Sequence, residues 1–234
     1  MKTFVPNFVT LLNLLSGGIA VIFAVEGDLS NAALFVFLGI LFDFLDGFLA
    51  RKLNVVSDLG LQLDSLADVV TSGLVPALVL FHLFELAITP SWDEHNVLPY
   101  FGLLVLLASA YRLAKFNIST AQSNYFIGLP TPANALLILS LPLILSYQNN
   151  DSYNAIILNP WFLISATVIS SFLLNAPIKL IALKFKTWNF ADNASRYILI
   201  ICSLVALIVF KFAGIPLLII FYIILSLINP PHNA

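Results

Sequence analysis

Residues 43–68 read DFLDGFLARKLNVVSDLGLQLDSLAD and hold five of the chain's twelve acidic residues. The 234-residue chain around them is 60% hydrophobic and only 9% charged, so this density of carboxylates needs a reason. Asp43 and Asp46 are three apart and Asp64 and Asp68 four apart; on helices both spacings put two side chains on one face. A break near residues 53–57 separates two helical patterns, which makes the two helices antiparallel neighbours whose acidic faces meet near one end. Asp58, directly after Ser57 at the start of the second helix, has a different expected role. An acid in the first turn favours the helix dipole, so Asp58 is expected to cap the helix.

Outside this stretch the sequence alternates apolar runs with turn signals. A soluble domain of this length needs far more polar surface. Apolar runs of about twenty residues match a hydrocarbon core of roughly 30 Å, so the expected fold is an all-α bundle of membrane-spanning helices. About eight spans are expected, near residues 7–26, 30–52, 57–84, 97–116, 130–148, 160–177, 194–212 and 214–229. Pro177 ends the short sixth span, and only a tight turn near Gly214 and Pro216 divides the last two, so six or seven spans is the alternative count. No internal repeat or low-complexity tract divides the chain, and residues 1–234 are read as one domain.

The cations give the orientation. Lys2, Arg51, Lys52, Arg112, Lys115, Lys179, Lys184, Lys186 and Arg196 fall at one set of span ends, nine of the ten Lys and Arg residues. Lys211 is the exception, and Glu26, Asp28, Glu85, Asp93, Glu94 and Asp151 occupy the opposite loops. By the positive-inside rule both termini and the acidic stretch are expected to face the cytoplasm, in the cell's inner membrane. The segment KLIALKFKTWNF, residues 179–190, alternates cations with apolar residues. It suits either an interfacial helix on an anionic leaflet or a charged loop that only fixes topology.

Other classes are excluded more briefly. Cys202 is the one cysteine, so no disulfide framework exists. The first apolar run carries Thr10, Asn13 and Ser16 and lacks a small-residue cleavage site, so it reads as a retained helix rather than a signal peptide. A net charge of −2 without a basic stripe argues against a nucleic-acid partner.

Ionised carboxylates near hydrocarbon persist only if paired, protonated or metal-bound. Arg51 and Lys52 are too few to neutralise Asp43, Asp46, Asp64 and Asp68 together. An all-oxygen ligand set selects a hard divalent cation such as Mg²⁺, Mn²⁺ or Ca²⁺, which would also bind phosphate. Gly47, Ala50 and Gly60 lie between the acids and leave room for a ligand or for close helix packing. Acids lining an ion path are the competing reading, but a transporter would place them near the midplane and draw them from different repeats.

The spacing Asp43-x2-Asp46-Gly47-x2-Ala50-Arg51-x8-Gly60-x3-Asp64-x3-Asp68 resembles the signature of the CDP-alcohol phosphotransferase family, with every fixed position filled. The resemblance implies a membrane enzyme, a homodimer in that family, that displaces CMP from a CDP-linked lipid using a second alcohol. It implies that Asp43, Asp46, Asp64 and Asp68 hold two Mg²⁺ or Mn²⁺ ions, with Asp68 a metal ligand or the general base. Asp68 is then expected to be the least metal-bound of the four, since a carboxylate among cations is a weak base. Gly47, Ala50 and Gly60 would make room for the nucleotide, and Arg51 would stay near the phosphates.

Three further stretches bear on the acceptor. PNFVTLLNLLSGG, residues 6–18, carries the family's Pro-Asn-x-x-Thr pattern, so Asn7 and Thr10 would face the nucleotide. Asn13 stands where glycerol-phosphate-using members have a basic residue. YRLAKFN, residues 111–117, puts Arg112 and Lys115 three apart, and an Arg fork suits a carboxylate. GLPTPANA, residues 128–135, offers Asn134 as a donor. These stretches are similar to the serine-using branch of the family, in which CDP-diacylglycerol and L-serine give phosphatidylserine and CMP. Glycerol 3-phosphate or an inositol compound is the alternative acceptor. Positive-inside anchoring and an ordinary helix start explain Arg112, Lys115 and Asn134 equally simply.

Overall fold

In the computed structural model the described residues are 4–88, 96–118, 125–181 and 190–228. Lys2, Asp93, Glu94, Lys184 and Lys186 lie outside them. The first two helices, α1 (Phe4–Val25) and α2 (Leu29–Leu53), form an antiparallel hairpin. The reversal uses Gly27 at φ 81°, a left-handed conformation that only glycine adopts freely. Asp28 then caps α2 by accepting from the Asn31 backbone N–H at 3.1 Å. The same hydrogen bonds hold the Asp28 carboxyl below the usual carboxylate range. Small residues line the seam, among them Ala20, Ala24, Ala32 and Ala33, all buried, which lets the backbones approach closely.

The end of α2 and the start of α3 (Asp58–Asp68) set the acidic faces together. Asn54 ends α2 in the left-handed conformation, its N–H satisfying the Ala50 and Arg51 carbonyls. Ser57 starts α3, its Oγ accepting from the Gly60 N–H at 3.1 Å. The cap is therefore Ser57, and Asp58 is an exposed first-turn acid rather than the cap itself. A hydroxyl preceding the first helical residue satisfies an orphan N–H, which the acid at the next position does not do here.

α3 does not run straight into α4 (Val75–Ala87) but passes through a π-turn at Val69–Leu74, where the Val75 N–H bonds to the Val70 carbonyl. Pro76 supplies the cause: it has no N–H for the Ser72 carbonyl, and its ring would crowd that carbonyl in a regular turn. Thr71 in this turn is wedged between α1 and α2. A Cβ on Gly39 would lie 2.6 Å from Thr71 Cγ2, and one on Gly17 would overlap the Thr71 hydroxyl. Phe84, Leu80 and Leu83 of α4 are fully buried and centre the main core with Val36, Val105 and Leu163.

The remaining elements are α5 (Leu104–Ile118), entered through a short 3₁₀ segment, β1 (Tyr125–Ile127), α6 (Thr131–Tyr147), α7 (Asp151–Ile157), α8 (Pro160–Asn175), β2 (Lys179–Ile181), α9 (Phe190–Phe210) and α10 (Gly214–Ile228). β1 and β2 pair antiparallel, with Phe126 opposite Leu180. Residues 179–181 are thus a strand rather than the start of an interfacial helix: Pro177 lies between α8 and this segment, and backbone pairing with 125–127 replaces helical bonds. α10 fastens this strand, since Tyr222 Oη donates to the Ile181 carbonyl at 2.9 Å and Ser226 Oγ accepts from the Ile181 N–H at 3.2 Å.

Among the described residues five helical stretches can cross a membrane by length and composition: Phe4–Val25, Leu29–Leu53, Asp58–Ala87, Leu98–Ile118 and Arg196–Ile228. Joining α7 and α8, bent by 62°, makes up to six, and α6 is shorter. This differs from the expected eight. The stretch 196–228 is not straight, however. Lys211 has φ 50°, and a Cβ on Gly214 would collide with the backbone of Ala206 and Leu207, so the chain doubles back there.

Candidate active site

Asp43 on α2 and Asp64 and Asp68 on α3 each bring a carboxylate oxygen within 4.8 Å of the others. Asp68 is buried, Asp43 and Asp64 half-buried. One oxygen of Asp64 is shut off from solvent and has no hydrogen-bond partner among the described residues. An orphaned buried carboxylate oxygen beside two further carboxylates is what a hard cation satisfies, so the residues present fit a divalent metal. The three-acid cluster can hold a metal ion.

Asp46, the fourth acid, lies outside that 4.8 Å group but within electrostatic reach of all three members. It is buried, 6% exposed, and accepts a 2.5 Å hydrogen bond from Thr10 Oγ1 on α1, in the range of strong charge-assisted O–H···O⁻ bonds. Arg51 is within its electrostatic reach. Asp68 is tied to α1 in the same way, since Asn13 Nδ2 donates to its Oδ1 at 3.3 Å. Asp68, expected to be the least metal-bound of the four, lies inside the close group.

The nucleotide-side residues line the same end. Asn7 Oδ1 lies 3.2 Å from the place where a Cβ on Gly60 would sit, so any side chain at residue 60 would press on Asn7. At Gly47 a Cβ would meet only the Arg51 guanidinium, at 3.7 and 3.9 Å. Gly47, Ala50 and Gly60 are half-buried and Arg51 is exposed.

Among the acceptor candidates Arg112 is buried, 8% exposed, with an unpartnered Nε and with Asp68 and Tyr222 in electrostatic reach. The end of α5 is fixed against α3, since Ser65 Oγ donates to Asn117 Oδ1 at 3.1 Å. Lys115, although three residues from Arg112, is exposed and is not brought into the cluster. Asn134 is fully buried, accepts from Ser170 Oγ at 2.7 Å and keeps an unpartnered Nδ2.

Asn13 and Thr71 act in this site although the sequence reading gave neither a role there. Thr71 Oγ1 donates to the Asn13 carbonyl at 3.3 Å and so braces the residue that holds Asp68. The available signal was spacing: Asn13 follows Thr10 by three, and Thr71 follows Asp68 by three.

A bundle of apolar helices with a carboxylate cluster able to hold a metal ion defines a helical membrane-protein site. The CDP-alcohol phosphatidyltransferase family matches residues 3–173, and the chain belongs to that family. It is 38% identical over 148 residues to the CDP-diacylglycerol–serine O-phosphatidyltransferase of Methanocaldococcus jannaschii, covering 63% of this chain and 65% of that one. It is 35% identical over 159 residues to the enzyme of the same name from Bacillus subtilis, covering 66% and 80%. It is 32% identical over 137 residues to the archaetidylserine synthase of Methanothermobacter thermautotrophicus, covering 58% and 56%.

Proposed function

We propose that this protein transfers the phosphatidyl group of CDP-diacylglycerol to the hydroxyl of L-serine, giving phosphatidylserine and CMP. The observation that carries this reading is the convergence of Asp43, Asp64 and Asp68 within 4.8 Å. The relatives named for serine transfer support the acceptor. Two Mg²⁺ or Mn²⁺ ions are assigned to Asp43, Asp46, Asp64 and Asp68. Bound there, they supply charge neutralisation for the pyrophosphate and the leaving phosphate.

The chain's own residues do the rest. Asn7, Thr10, Gly47, Ala50, Arg51 and Gly60 take the cytidine and its phosphates. Arg112, with Asn134 and more distantly Lys115, takes the acceptor. Asp68, held at Oδ1 by Asn13, removes the serine hydroxyl proton through its other oxygen. The serine oxygen–phosphorus bond forms as the phosphorus–oxygen bond to CMP breaks, and the proton stays on Asp68 until CMP departs.

In the same reading the chain is a single domain and a homodimer in the cell's inner membrane, with eight crossings and both termini and the site facing the cytoplasm. The cation distribution supports the orientation, and the reversal at Lys211 supports separate crossings by α9 and α10. The deciding experiment incubates purified protein with CDP-diacylglycerol, a divalent ion and one acceptor at a time, and follows CMP. Release with L-serine is expected. Release with glycerol 3-phosphate but not L-serine overturns the acceptor, and ion flux across liposomes without CMP release overturns the reaction.

A further inference from the structure

Behind the carboxylates the π-turn, α5, α6 and α8 pack on one another. These elements carry buried side-chain atoms without a hydrogen-bond partner among the described residues: Ser72 Oγ, Ser109 Oγ, Arg112 Nε, Thr131 Oγ1, Asn134 Nδ2 and Asn175 Oδ1. Ser72, Ser109 and Asn134 are 0% exposed. Buried polar atoms are nearly always paired, so a group of orphans from four adjoining elements points to a ligand that pairs them.

Close contacts tie the π-turn, α5 and α8 members together. Ser109 Cβ lies 3.2 Å from the place of a Cβ on Gly73, next to Ser72. Asn175 Nδ2 donates to the Ala108 carbonyl at 2.9 Å, one helical turn before Arg112 on α5. Arg112 in turn has Asp68 in electrostatic reach, which joins the group to the carboxylate cluster.

The orphans sort by polarity. Arg112 Nε and Asn134 Nδ2 can only donate, and so match a carboxylate. Asn175 Oδ1, a carbonyl oxygen, can only accept, and the Nδ2 bond to Ala108 fixes the orientation of the amide. A zwitterion such as an α-amino acid needs donors at its carboxylate end and an acceptor at its ammonium end, which matches this division. We propose that Asn175 is a specificity-determining residue of the acceptor site, its Oδ1 accepting from the ammonium while Arg112, one turn from the Ala108 carbonyl that Asn175 holds, takes the carboxylate. This rests on the serine reading above and names the part of the site that distinguishes an amino acid from other alcohols.

The test uses the full chain, wild type and the variants Asn175→Ala and Asn175→Asp. The acceptors are L-serine and 3-hydroxypropionate, which keeps hydroxyl and carboxylate but lacks the ammonium and is followed as substrate or competitive inhibitor. Loss of a hydrogen bond to a charged group predicts that Asn175→Ala raises KM for L-serine roughly 10- to 100-fold. The constants for 3-hydroxypropionate and KM for CDP-diacylglycerol stay unchanged, and Asn175→Asp, which still accepts, keeps the preference for L-serine. An unchanged KM for L-serine in Asn175→Ala overturns the proposal. So does an equal loss of both acceptors in both variants, the mark of a merely structural residue. Wild-type protein that ignores L-serine but uses another acceptor overturns the serine reading itself, and that outcome is visible before any variant is made.

Discussion

Asn13 on α1 donates its side-chain amide to Asp68 on α3, 3.3 Å away, across a seam that Thr71 braces from the next turn. The first transmembrane helix therefore sets the orientation of an acid that belongs to a different helix pair.

Replacing Asn13 by Ala leaves Asp68 free to rotate. Losing one hydrogen bond of this kind is worth about 1 kcal/mol, or roughly a fivefold drop in kcat. KM for CDP-diacylglycerol should not move. Steady-state kinetics that show the loss in KM alone would assign Asn13 to nucleotide binding instead.

Asp68→Asn removes the group assigned to the serine proton. We expect kcat to fall roughly 100- to 10,000-fold, the usual contribution of a positioned base. Divalent-ion binding, followed by calorimetry on the same preparation, should persist through Asp43 and Asp64. Near-normal turnover with intact ion binding removes the base assignment.

Chelation should abolish CMP release, and added Mg²⁺ or Mn²⁺ should restore it. Asp64→Asn should raise the ion concentration for half-maximal rate by more than the roughly 10- to 100-fold typical of a lost outer partner. Thr10→Val separates two roles for Asp46: an ion requirement shifted within that range marks Asp46 as a ligand, and an unshifted one marks it as a nucleotide-side acid.

Gly39→Ala places a methyl 2.6 Å from Thr71 Cγ2 and 2.8 Å from Asn13 Oδ1. Overpacking of this kind costs about 1–3 kcal/mol, read as a lower thermal midpoint in detergent. Thr71→Ser deletes the opposing methyl, so the double variant should recover part of the loss. Additive midpoints would place the strain elsewhere.

Much of the site could be read from the residues because helical spacing converts directly into a shared face. Asp43, Asp64 and Asp68 meet as their separations and the break at 53–57 require. Three things could not be read that way. The cap falls on Ser57 rather than Asp58 because the choice depends on which side chain reaches the Gly60 N–H, a matter of one position. The π-turn follows from Pro76 meeting a packed neighbour, and apolar periodicity does not register one extra residue. The orphaned atoms of Ser109 and Asn175 come from helices far apart in the chain, and neither residue type marks a site alone.

The π-turn also acts as a phase shifter. One residue in an α-helix turns the chain by roughly 100°, so the extra residue in Val69–Leu74 lets α3 aim its acids at α2 while α4 aims Phe84 and Leu80 into the core. The two halves of this long helix are indexed independently, like two gears on one shaft. Deleting Val70 would restore a regular helix and swing Asp64 and Asp68 away from Asp43 by about that angle. Circular dichroism should then report an intact helical bundle, and the same protein should release no CMP.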